Sequence, residues 1–128
     1  MRIDTLASWH EIVRCVDFAR LPLLLADDCV FHSPVVHTPQ RGSALTAGYL
    51  TAAMQVLGNG TFRYVRQVVA EHDAVLEFEA DLDGIHVNGV DLIHWNDDGR
   101  ITDFKVMIRP LKAVNLLHQK MAAALSQR

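Results

Sequence analysis

Little in this chain could staple it, anchor it or hold a metal. Cysteine occurs twice, at Cys15 and Cys29, without a CxxC spacing. A disulfide framework is therefore not encoded, and a reduced pair is expected. Histidine is plentiful, but none of the seven falls in a ligand pattern such as HExxH, and no metal or other cofactor is expected. The longest apolar run, Leu21 to Ala26, is too short to span a bilayer. The opening MRIDTLASWHEIV lacks the apolar stretch of a signal peptide, so a cytoplasmic protein is expected, with no membrane partner. Basic charge is not in excess either. A net charge of -3 lacks the basic footprint that a nucleic-acid partner needs.

What remains is ordinary globular material. A chain of 128 residues, half of them hydrophobic, reads as one domain over 1–128. It can bury roughly two-thirds of its unfolded surface. The most informative stretch runs from Val87 to Pro110. Asp98-Gly99 supplies residues that tolerate positive φ, as tight hairpin turns require. Strands flank it, and alternation places Val87, Gly89, Asp91, Ile93 and Trp95 on one face. Asp91 thus stands where an apolar core is expected.

The remaining elements follow from periodicity. Leu6, Trp9, Val13 and Val16 recur at helical spacing, with Asp4 as N-cap. A short helix follows through Leu25, Asp27-Asp28 form a polar turn, and Cys29 to Ser33 form a short strand. Pro34 to Gly42 is a loop. Ser43 caps a helix carrying Leu45, Tyr49, Ala53, Met54 and Leu57, which Gly58-Asn59-Gly60 stops. Strands follow at Thr61 to Ala70 and Ala74 to Leu82. The turn falls at Asp83-Gly84, and Gly89 marks a bulge or a close backbone approach. Pro110 opens a last amphipathic helix through Leu125. Segregated helices and strands predict an α+β fold, a curved antiparallel sheet wrapped around helices to leave a cone-shaped pocket.

The segments LLADDCVFHSPVVHTPQRG and GVDLIHWNDDGRI carry a resemblance to the nuclear transport factor 2-like (cystatin-like) superfamily, in its SnoaL-like branch. That superfamily includes ketosteroid isomerases, scytalone dehydratase, limonene epoxide hydrolase and polyketide cyclases. The tail VMIRPLKAVNLLHQKMAA is most similar to an uncharacterised bacterial group. Laid on the ketosteroid isomerases from Ala26 to Gly42, the position of their general base holds Ser33. Their oxyanion-hole tyrosine falls on Trp9 and their protonated aspartate on Asp91. With Ser33 in place of the base, ketosteroid isomerisation is not expected. The epoxide hydrolases use an Asp-Arg-Asp cluster, to which Asp91 and either Arg66 or Arg109 could contribute. Scytalone dehydratase pairs histidines, and His32 and His37 are the comparable residues, although parity turns His32 outward.

These readings converge on a small hydrophobic molecule bound in an apolar pocket. Its walls are expected to be Trp9, Phe31, Ser33, Tyr49, Phe78, Val87, Phe104 and Val106, with Asp91 as the main polar group. Chemistry of an isomerase, dehydratase or cyclase type is one outcome. A non-catalytic ligand-binding or protein-interaction module using the outer sheet face is the alternative. Val65, Val69, Leu92, His94 and Met107 would leave an apolar sheet face in water, so a homodimer through the sheet is expected. Arg109 is expected to pair with an acid or to clamp a carboxylate.

Overall fold

The computed structural model describes residues 3–126. Helix α1 spans Thr5–Cys15, and the Asp4 carboxylate accepts from the Ala7 N–H at its start. The Thr5 hydroxyl donates to the Gly99 carbonyl at 2.7 Å and so ties the helix to a distant strand turn. A 3-10 turn, Phe18–Arg20, leads into the four-residue α2, Leu21–Leu24, with Pro22 in its first turn. Proline is tolerated there because the N–H it lacks would have had no helical partner.

Strand β1 runs Leu25–His32, longer than the sequence suggested. Asp27 and Asp28 are not a turn but lie within it, both exposed, where the pairing with a neighbouring strand shifts register between Leu25 and Val30. An irregular strand can carry two consecutive acids because the bulge turns them to solvent. The two-residue β2, Gln40–Arg41, pairs with β1 from inside the segment read as loop. Helix α3, Ser43–Leu57, is capped by Gly42 at φ 103° rather than by the Ser43 side chain.

The meander follows as β3 Arg63–Val69, β4 Asp73–Leu82, β5 Ile85–Trp95 and β6 Ile101–Arg109, and α4 spans Leu111–Ser126. Asp83 and Gly84, at φ 50° and 80°, make the tight turn between β4 and β5. Along β4 the alternation is complete: Ala74, Leu76, Phe78, Ala80 and Leu82 are buried.

The strand order is β2-β1-β6-β5-β4-β3. β1 runs parallel to β6, so the curved sheet is mixed rather than purely antiparallel. The helices cover its inner face. Trp9 of α1 meets Phe104 of β6 edge-on at 5.0 Å, and Phe31 of β1 stacks on Tyr49 of α3 at 5.5 Å. Among the described residues, no helix is long and apolar enough to cross a membrane.

Candidate functional site: a buried acid beside an apolar cavity

Asp91 sits in the middle of β5, opposite Leu76 of β4 and Val106 of β6. Only 5 % of it is exposed. Its polar partner comes from two strands away. The Tyr64 hydroxyl, on β3, donates to Asp91 Oδ2 at 2.6 Å, and Trp9 Nε1 donates to the same Tyr64 oxygen at 3.0 Å. The chain of donors therefore runs indole to phenol to carboxylate. A bulge makes this arrangement. β3 shifts register between Tyr64 and Arg66, so Tyr64 faces inward while Arg66 faces out to Glu77 at 2.9 Å. Arg66 is thus spent on the outer face and does not reach the acid.

Burial dominates the electrostatics. Desolvation penalises the charged carboxylate and raises the Asp91 pKa from 3.8 to about 7, while the Tyr64 hydrogen bond pulls it back. The phenol is pushed well above its usual value, first by burial and then by the neighbouring Asp91 charge. Asp91 Oδ1 takes no hydrogen bond from any described residue, so a proton can reside there and be donated.

Beside this acid lies a cavity of about 170 Å³. Phe31 of β1 and Val106 and Ile108 of β6 form its sheet wall. Tyr49, Ala53 and Leu57 of α3 form a second wall, and Leu117, His118, Met121, Ala122 and Leu125 of α4 close it. The loop Ser33–Val36 completes the rim. Ser33 Oγ is already committed there, accepting from the N–H groups of Val35 and Val36 at 3.1 and 3.3 Å.

Of the wall residues expected from sequence, Phe31, Ser33, Tyr49 and Val106 line the cavity. Trp9, Phe78, Val87 and Phe104 do not. They are packed in the core, each 1 % exposed or less, Trp9 edge-on to Phe104 and Phe78 against Phe62. Asp91 is not a lining residue either. It stands behind Val106, and directly opposed side chains in such a ladder are about 5 Å apart. His32 faces outward and meets Asp103 at 2.8 Å, and exposed Arg109 reaches Asn88 at 3.4 Å. Among the described residues no histidine, cysteine and carboxylate cluster could hold a metal.

The SnoaL-like domain family matches residues 6–104. The chain belongs to that family. The SnoaL-like chain is also similar to solved structures of the nuclear transport factor 2-like superfamily. A protein named steroid delta-isomerase, from Pseudomonas aeruginosa, superposes with a TM-score of 0.91 at 37% identity, covering 96% of this chain and 90% of that one. An uncharacterised bacterial protein with a cystatin-like fold, from Silicibacter pomeroyi, gives 0.86 at 35% identity, covering 94% and 84%. A protein of unknown function from Mesorhizobium loti, described as NTF2-like, gives 0.73 at 24% identity over 84% and 89%, a likeness of fold alone. No functionally curated protein matches the chain.

Within this SnoaL-like fold the partner of the buried acid that sequence reasoning does not find is Tyr64. A buried acid needs a donor, and Tyr64 lies next to Phe62 at the start of a strand already recognised. Strict alternation puts Tyr64 and Arg66 on one face, and only the bulge between them separates the two. The other missed feature is α4. Its stripe of Leu117, Met121 and Leu125 reads as one face of an amphipathic helix, and the same face closes the cavity.

Proposed function

We propose that this chain is a small-molecule-binding member of the SnoaL-like family, whose ligand enters the cavity between the sheet, α3 and α4. The cavity itself carries the reading. Its walls are almost wholly apolar, and its volume of about 170 Å³ resembles the about 150 Å³ of an apolar cavity that accepts benzene. It lies below the roughly 300–1,000 Å³ of pockets that enclose drug-sized ligands. A ring or short chain fits, and a four-ring steroid does not. The test is methyl NMR of Ala53, Met121 and Ala122 during titration with 1-hexanol. These methyls are expected to shift together, and Ala122→Trp, an exposed position whose side chain would fill the cavity, is expected to abolish the shifts. Unmoved methyls would overturn the reading.

A second reading, isomerase-type proton transfer, draws on the printed name of the Pseudomonas aeruginosa relative and on Asp91. An acid with a pKa of about 7 and a free oxygen can hydrogen-bond a carbonyl and stabilise the enolate that forms on proton loss, but only if Val106, which stands between Asp91 and the cavity, moves aside. Such chemistry needs a base, and Ser33 holds none. Turnover of a β,γ-unsaturated ketosteroid is accordingly not expected.

The outer sheet face supports self-association. Val68, Val75 and Met107 are 64%, 37% and 51% exposed there, with half-buried Val90 and Leu92 between them. This patch differs from the one expected from sequence. Val65 sits in the bulge, and Val69 pairs with Ala74 and faces α1. A homodimer through Val68, Val75 and Met107 is the proposed assembly, read from their exposure.

A further inference from the structure

Charge is sorted along this chain in a way that bears on the cavity. Acids outnumber bases, 15 to 12, yet no Asp or Glu occurs between Cys29 and Ala70, and none occurs after Asp103. Every residue lining the cavity comes from those two acid-free segments. The protein is therefore negative overall while its cavity is framed by chain that carries only neutral and basic side chains.

The basic groups gather at the rim. A second concavity, on the edge of β6 beyond the end of β1, shares Ser33, Pro34, Val36, Val106 and Ile108 with the cavity and adds His32, His37 and Lys105. The one acid flanking it, Asp103, is engaged by His32 at 2.8 Å. Lys105 and His37 have no carboxylate partner among the described residues. On the opposite rim, α4 contributes His118, and Asp83, the one acid in an ion pair with that helix among the described residues, is held by Lys120 at 3.0 Å. Lys105 is thus a fixed cation without an acid beside it, flanked by imidazoles that can donate hydrogen bonds, and such a rim around a low-dielectric hole attracts anions because field lines focus where water is displaced.

We infer that the cavity selects a small apolar molecule ending in a carboxylate, with its hydrocarbon body among Phe31, Ile108 and Met121 and its charged end at the rim beside Lys105, His37 and His118. This orientation also keeps the ligand charge away from Asp91, which lies behind Val106 at the inner wall. The inference rests on the cavity reading above and deepens it by naming the ligand class. A body of roughly six carbons suits a hole of that size. Within a homologous series, affinity is expected to rise about fourfold per added methylene until the hole is full.

The experiment compares sodium hexanoate with 1-hexanol, by methyl NMR titration of the full chain at low and at physiological salt. Hexanoate is expected to bind at least tenfold more tightly at low salt, and the gap is expected to narrow as salt screens the rim. The double variant Lys105→Gln/His37→Gln, at rim positions that do not line the cavity itself, is expected to bring hexanoate down to the affinity of hexanol while leaving hexanol unchanged. Equal binding of the two probes by the unaltered chain would overturn the charge selection and leave the cavity reading standing. A hexanoate preference that survives the double variant would overturn the placement of the charged end. Binding of neither probe would overturn the cavity reading and this inference with it.

Discussion

Tyr64 and Asp91 share a 2.6 Å hydrogen bond although β4 runs between their strands. Two strand spacings come to about 9.6 Å, a reach that a phenol manages and a serine or threonine does not. The path is open because Gly89 has no side chain. Phe78, directly opposite both Tyr64 and Gly89, lays its ring over the glycine.

Tyr64→Phe removes the acceptor for Trp9 Nε1 and the donor for Asp91 together, while keeping the ring. The hydroxyl is the one interaction that favours the ionised carboxylate, so the Asp91 pKa is expected to rise further from about 7. A carbon NMR titration of the Asp91 carboxyl checks this. A midpoint that fell, or stayed in place, would show that another donor governs the acid. The loss of a bond to a charged group is expected to cost about 1.5–3 kcal/mol of stability at pH 8.

Gly89→Ala tests the close approach. A Cβ there would lie 2.5 Å from Phe78 Cζ and 2.7 Å from the Met107 carbonyl oxygen, so either the ring or a backbone ladder must move. Overpacking of this kind costs about 1–3 kcal/mol. The expected drop in urea midpoint should be partly rescued by Phe78→Leu, which withdraws the ring but not the carbonyl. Full stability in the single variant would mean that the strand yields freely.

Sequence periodicity was sufficient for most of the scaffold and for Asp91, because each signal was local. Asp98-Gly99 and Asp83-Gly84 demand turns, and the run Ala74 to Leu82 alternates without a break. What it could not yield depends on pairs distant in the chain. Nothing near Tyr64 announces a bulge, yet one extra residue decides whether the phenol or Arg66 faces the acid. Asp27-Asp28 read as a turn by composition, and only the parallel neighbour β6 holds them in a strand. The cavity was half visible for a similar reason. Phe31 and Val106 are sheet residues whose faces follow from parity, whereas the part played by α4 is set by where the helix docks.

The proposed homodimer can be tested on the outer face. Val68 and Val75 are direct cross-strand partners there, and together with Met107 they would meet their copies across a sheet-to-sheet contact. Sedimentation at micromolar concentration is expected to show a species of twice 14.3 kDa. Val68→Lys/Val75→Glu keeps a cross-strand pair within each subunit but places charge in the contact, and it is expected to give the monomer. A monomeric unaltered chain would remove the sheet face as an interface.

The last prediction concerns stability and pH. The Asp91 carboxyl titrates near 3.8 when exposed in the unfolded chain and at about 7 in the folded one. Between those values the native state holds the extra proton, so unfolding releases it and stability must fall as pH rises through the window. The contribution is fully present below about 4 and lost above about 7. Its amplitude is on the order of 4 kcal/mol at about 1.4 kcal/mol per unit. Asp91→Asn keeps the shape, and its carbonyl can still accept from Tyr64, but it cannot ionise. Urea unfolding of both proteins at pH 5 and pH 8 isolates the effect, because every other titrating group is common to the pair. The unaltered chain is expected to lose more stability than Asp91→Asn on going from pH 5 to 8. Asp91→Leu, which orphans the Tyr64 hydroxyl, is expected to be less stable than Asp91→Asn at both. Parallel losses in the unaltered chain and Asp91→Asn would mean that the carboxylate is ionised in the fold across this range, and the neutral acid beside the cavity would have to be abandoned.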